Sequence, residues 1–177
     1  ATHAWETARD ELTATKFATE IIKEPAVRES AGIADTIATH ALLGQVHLSR
    51  SRVSQAEASF GEAIKIEPKA PIALLGLGET LYRAGRFSEA LARFSAAIEA
   101  DPDNTLAKIG SAKTKIALER LQEARDMLRA LNKKLKETNK PEFRALTWQG
   151  RAEEALGARA AAEASYAEAI RVGGTSP

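Results

Sequence analysis

The side chains that could do chemistry are few and scattered. His40 and His47 stand seven residues apart, so they share one face of any helix that contains both. Two imidazoles on one face can begin a zinc site, but such a site needs a third ligand. No carboxylate lies three or four residues after either histidine. Glu153 and Glu154 are adjacent, so on a helix their carboxylates point different ways, while Asp101 and Asp103 flank Pro102 at a turn. Neither pair has the convergent geometry of general acid–base catalysis. No glycine-rich loop follows a strand, since no stretch reads as strand, and nothing marks a nucleophile elbow. Cysteine is absent, which removes disulfides and thiolate ligands. The residues predict no enzyme, no metal site and no cofactor.

Lys133, Lys134, Lys136 and Lys140 make 132–142 the most polar part of the chain. The stretch has no aromatic platforms and no arginine interleaving, so nucleic acid is not the predicted partner. A solvated helix end is, with cations placed where they favour the carboxyl-terminal dipole. The formal charge of +1 gives no reason to expect a partner recruited by gross electrostatics. No run approaches the roughly 18 apolar residues of a membrane span, and no signal peptide is legible. The compartment stays open. Because the chain opens on Ala1 rather than Met, a processed, trimmed or excised chain is expected.

The elements that would position these side chains are clearest between Pro71 and Pro102. Leu74, Leu77, Gly78 and Leu81 fall on one helical face, and Ala90, Leu91, Phe94, Ala97 and Ile98 fall on another. Gly85 lies between them as a permissive turn, and Asp101-Pro102 stops the second helix because the residue before proline resists helical geometry. A shift of 34 residues towards the amino terminus finds Leu43-Gly44, Ala56, Phe60, Ala63 and Pro68 in the same places. A shift of 34 the other way finds Ala112, Ala124 and Leu128, with Lys136 where proline would be, so that helix is free to run on. After a slip of four, Gly150, Ala162, Tyr166 and Ala169 make a fourth copy. One hairpin cannot bury its apolar face alone, so the copies must stack, with small residues letting paired helices approach.

These residues resemble the tetratricopeptide repeat family. The match rests on Leu43, Gly44, Ala56, Phe60, Ala63 and Pro68, and then on Leu74, Leu77, Gly78, Ala90, Phe94, Ala97 and Pro102. Departures are His47 and Leu81 in place of the usual tyrosine, and His40 and Lys108 where tryptophan is common. The resemblance implies an all-α, right-handed superhelical solenoid of stacked antiparallel helix pairs. Repeats are expected at 37–70, 71–104, 105–142 (with an extended second helix) and 143–174, then a tail at 175–177. Residues 1–36 are expected to be helical, at least from Glu11 to Lys23. They are either an unrelated helix or a truncated repeat plus insertion, the latter because Phe17 precedes Pro25 by the same eight residues as Phe60 precedes Pro68.

In this family the first helices of successive repeats line the concave surface. The resemblance therefore directs attention to Ala38, Ala41, Gln45 and Leu48, and then to Ile72, Leu75, Glu79, Tyr82 and Arg83. The third repeat offers Leu106, Ile109, Lys113 and Ile116, and the fourth Arg144, Thr147 and Arg151. Some members clamp a peptide's terminal carboxylate with lysine, asparagine and arginine. Here Ala41, Gln45, Gly76, Leu106 and Gly110 stand at those sites, so that mode is disfavoured. An apolar floor rimmed by Glu79, Arg83, Lys113 and Arg151 suits an amphipathic or apolar segment of a partner protein. The competing expectation is that several of these side chains pack between neighbouring first helices, or that the amino-terminal helix fills the groove. The abrupt end after Ile170 and Val172, without a polar capping helix, suggests a slice of a longer array or self-association through repeat ends. A regulatory segment of a larger multidomain protein is a further alternative.

Overall fold

In the computed structural model, residues 33–174 are described, with the side chains of 33–36 left aside. The expectations for Phe17, Pro25 and the helix over 11–23 fall outside this range. Eight helices and no strand occur among the described residues: α1 Ile33–Ser49, α2 Val53–Ile66, α3 Pro71–Arg83, α4 Phe87–Ala100, α5 Thr105–Ala117, α6 Leu121–Glu137, α7 Phe143–Ala155 and α8 Arg159–Gly173. The fold is all-α. None of these helices is long and apolar enough to cross a membrane. The chain forms two compact units, with the boundary between Gly85 and Arg86.

Local chemistry explains where the helices stop. Glu67 and Asp101, each followed by proline, take extended backbone (φ −136° and −137°) and end α2 and α4. Proline is missing at Lys136, and α6 runs 17 residues against 14 for α2 and α4. Gly85 and Gly157 turn the chain with φ of 75° and 76°, the left-handed region that glycine enters freely. Ser51 and Glu119 hold the equivalent turns at φ of 57° and 59°, where a Cβ is strained.

In the first unit α1 and α2 pair, and α3 packs on both. Phe60 on α2 is fully buried and sits between two glycines. A Cβ at Gly44 on α1 would lie 2.8 Å from its ring, and one at Gly76 on α3 only 2.2 Å from it. The sequence pointed to Gly44 as a crossing residue, but the tighter fit is Gly76, which receives the aromatic of the preceding hairpin. Ile37, Ala63, Ala70 and Ala73, with Ile64 against them, complete this core. Arg83 Nη1 donates to the Leu48 carbonyl at 3.0 Å and ties the end of α3 to the end of α1.

The second unit repeats the device with variations. Phe94 on α4 meets Gly110 on α5, where a Cβ would lie 2.4 Å from the ring, and Tyr166 on α8 meets Gly150 on α7 at 2.6 Å. At the joint between α6 and α7 the sizes are exchanged. Leu128 replaces the aromatic, and Trp148 stands where the earlier joints have glycine. Trp148 packs on the cluster of Ile109, Ala112, Leu128, Leu131 and Ala145. A smaller knob is matched to a larger receiver, as constant packing density requires.

Candidate functional site

The first helices of consecutive repeats lie side by side within each unit, α1 with α3 and α5 with α7. This places the expected groove positions on neighbouring helices at matching register. In the first unit Gln45 is exposed, Leu75 and Tyr82 are half-buried, and Ile72 is 46% exposed. Glu79 accepts a hydrogen bond from Arg83 Nε at 3.3 Å, so Arg83 is shared between that carboxylate and the Leu48 carbonyl. In the second unit Leu106 is 44% exposed, Ile116 and Lys113 are half-buried, and Arg144 and Arg151 are exposed.

Three residues expected on this open face belong to the core. Ala41 is 0%, Leu48 7% and Ile109 6% exposed. Ile109 lies in the cluster that joins α5, α6 and α7, which are too close for a side chain at that register to reach water. Ile72 and Leu106, 34 residues apart at one repeat position, are large apolar side chains left in water, as are Leu42 on α1 (43% exposed) and Phe143 at the start of α7 (44%).

The cations of the second unit's face are held over aromatic rings. The Arg151 guanidinium carbon lies 4.6 Å from the centroid of Trp148. Lys113 Nζ is 6.0 Å from the Phe94 centroid, and the Arg144 guanidinium 5.9 Å from that of Phe143. Arg144 also donates to Glu142 at 2.9 Å, a pairing that holds the Glu142 carboxyl below its usual range. Trp148 was not singled out from the sequence, because its role depends on Arg151 one turn away and on a core from other helices.

A buried polar network lies behind this face. Glu153 is 1% exposed, and its carboxylate accepts from Ser165 Oγ at 2.7 Å, Arg129 Nη2 at 2.8 Å and Gln149 Nε2 at 3.2 Å. Asn132 Nδ2 donates to Gln149 Oε1 at 2.8 Å and adds a second residue of α6, beside Arg129, to the network. Burial alone would raise the Glu153 pKa, yet these donors and the Arg129 charge together hold it below the ordinary value. Glu154, its neighbour, is exposed and accepts from the Tyr166 hydroxyl at 2.9 Å. The two carboxylates are thus separated by burial and partner, and they form no catalytic pair. Sequence gave no hint of the burial, since Ser165 and Arg129 come from other helices.

The lysine-rich stretch forms part of the wall of a cleft of about 810 Å³ between α6, α7 and α8, with Asn132, Lys133, Lys136, Leu146, Gln149 and Arg171 in its lining. Lys134 is spent on an ion pair with Asp103. Among the described residues no group of three or more His, Asp or Glu could hold a metal. His47 Nδ1 is buried with no hydrogen-bond partner, and burial, then Arg52 and Arg50, lowers its pKa.

No curated protein matches the chain by sequence. Among solved structures, the chain is similar to the pilF product of Pseudomonas aeruginosa, with a TM-score of 0.73 and 18% identity over 83% of this chain and 65% of that one. It thus spans about two thirds of that protein. It is similar to the first tetratricopeptide domain of Spaghetti (RPAP3) bound to an HSP90 peptide, with a TM-score of 0.62 and 17% identity over 70% of this chain and 94% of that one. A third similar structure is YrrB, described as having an unusual peptide-binding site, with a TM-score of 0.67 and 16% identity over 96% and 81%. Two tetratricopeptide repeat models match, one over residues 42–105 and the other over 81–147. The repeat register, the glycine-received aromatics and these matches agree: the chain belongs to the tetratricopeptide repeat family.

Proposed function

We propose that the chain is a non-catalytic interaction module that holds a segment of a partner protein on the exposed faces of its first helices. The observation that carries this reading is the pairing of exposed apolar and charged side chains at matching register. In the first unit Ile72 lies on the face with Glu79 and Arg83. In the second, Leu106 and Ile116 lie with Lys113, Arg144 and Arg151. Apolar contacts would supply affinity and the charges would fix register and partner choice. Spaghetti with its HSP90 peptide and YrrB with its peptide-binding site are the precedents on this fold. Their recognition chemistry is not carried over, because fold alone does not specify a site.

The test is site-directed photo-cross-linking. A benzophenone side chain at Leu106 should form a discrete adduct that excess unlabelled chain competes away. The same group at Ala92, exposed on the second-helix surface of α4, should not. Adducts at Ala92 with Leu106 silent would overturn the reading. A second reading, self-association through repeat ends, is favoured by Ile170, which is 76% exposed although Ile98 at the same repeat position is half-buried. A monomeric mass at every concentration in sedimentation would end it.

A further inference from the structure

We infer that His47 is an acid-sensitive latch on the first unit: while its imidazole is neutral the last turn of α1 holds Arg83 in place beside Glu79, and protonation lets that turn open. This rests on the interaction reading above, in which Glu79 and Arg83 are the charges of the first unit's face, and adds the regulation of that face.

One nitrogen makes the latch. His47 stands in the last turn of α1, and its Nδ1 is enclosed with no hydrogen-bond partner among the described residues. A neutral imidazole carries one N–H and one lone pair. An enclosed N–H without an acceptor is the costlier orphan, so the lone pair belongs on Nδ1 and the proton on Nε2. Protonation would place a second N–H, now with a full charge, where no oxygen waits for it. The residue is only half-buried, so the ring has a short way out to water.

The charges nearby oppose the proton as well. Around this end of the hairpin α1 carries His40, α2 carries Glu57, Glu62 and Lys65, and α3 carries Glu79 and Arg83. The charges that act on the imidazole are those of Arg52 and Arg50, in the turn between α1 and α2. Burial, the larger cause, and these two arginines hold its pKa below 6.5. The negative end of a helix ordinarily welcomes a cation, but here the last carbonyls are taken. Val46 accepts from Arg50 N and Ser49 Oγ, His47 from Arg52 N, and Leu48 from Ser51 N and Arg83 Nη1.

The Leu48 carbonyl joins the latch to the face. It belongs to the residue after His47, and Arg83 reaches it at 3.0 Å while Arg83 Nε meets Glu79 at 3.3 Å. A ring that leaves its place moves the backbone carrying this carbonyl, and Arg83 loses one of its two fixed points. The turn is also strained, with Ser51 at φ 57°, so opening it relieves left-handed backbone. Because the unfolded chain takes the proton more readily, this part of the stability is full above about 6.5 and falls as the pH drops through the folded pKa.

The test is an NMR titration of the whole chain from about pH 8 to about pH 5, the range in which an imidazole titrates. His47→Tyr restores the residue usual in the family at this position and identifies the His47 signals among the three imidazoles. Its ring does not titrate in this range, and His47→Phe does the same without a hydroxyl. The wild-type chain should show an Nε2–H imidazole at neutral pH and a midpoint below 6.5. With that midpoint the Arg52 amide and the Arg83 guanidinium should lose protection from exchange, measured against both variants at each pH. An Nδ1–H imidazole, or a midpoint at or above 6.5, would overturn the latch. Protection that stays level as His47 titrates would overturn its link to Arg83, and an equal loss in both variants would assign the effect to another group. No partner is present in this titration, so each of these failures leaves the interaction reading standing, which the Leu106 cross-link tests separately.

Discussion

Gly76→Ala tests the packing logic most directly, because two physical effects predict opposite signs. In a helix interior alanine is favoured over glycine by about 1 kcal/mol, so helix propensity alone predicts stabilisation. The tertiary structure says otherwise. The new Cβ would lie 2.2, 2.3 and 2.7 Å from ring atoms of Phe60, where ordinary contact begins near 3.4 Å. Phe60 is fully buried and cannot swing aside, so the ring and α3 must separate by about 1 Å. Overpacking of this kind costs about 3 kcal/mol at the upper end of its range, which leaves a net loss of about 2 kcal/mol. For a chain of this length that lowers Tm by about 4–8 °C. Gly61→Ala is the internal control. Gly61 is also helical and in the same unit, but nothing lies within 4 Å of its built Cβ, so it should gain about 1 kcal/mol. Urea titrations followed by circular dichroism would report both midpoints. The double variant Phe60→Leu/Gly76→Ala should lose less than the sum of its single changes. A Gly76→Ala midpoint at or above wild type would refute the reasoning.

Two further outcomes follow from buried charge and from strain. Glu153→Gln should lose about 2 kcal/mol of stability at neutral pH, as charge-assisted bonds to Arg129 and Ser165 are weakened. Because the folded pKa of Glu153 is below its unfolded value, the native state binds fewer protons. Its contribution is therefore full above about pH 4.5 and is lost as pH falls through the folded pKa; urea midpoints from pH 7 to 3 should show this component in wild type and not in the variant. Glu119→Gly should raise the thermal midpoint in calorimetry, because relief of about 1 kcal/mol or more of left-handed strain outweighs the extra freedom of the unfolded chain, and a lowered midpoint would refute this.

Much of this fold was legible in the chain, because its determinants are local and recur. Hydrophobic spacing marks each helix, the dipeptides Glu67-Pro68 and Asp101-Pro102 mark two stops, and Lys136 in the place of proline marks the helix that runs on. The site was legible only as register. The family pattern names the positions that face inward from the first helices, but not which of them reach water. Leu48 and Leu106 illustrate the limit. Both are leucines at groove positions, yet one is 7% and the other 44% exposed, according to what neighbouring helices place beside them.

By itself, the sequence determined the repeat, the helix pairs and the absence of thiol chemistry, since composition and periodicity are properties of the chain alone. Only the tertiary structure decided how the joints close and which polar groups are enclosed. Gly76 matters because Phe60, 16 residues earlier on another helix, fills the space its missing side chain leaves. Trp148 serves as a shelf for Arg151 because Leu128 is small enough to admit it. Glu153 can stay charged in the interior because Arg129 and Ser165 arrive from two other helices. Each of these is a relation between residues distant in the chain, and packing and desolvation act on such relations only after the helices have met.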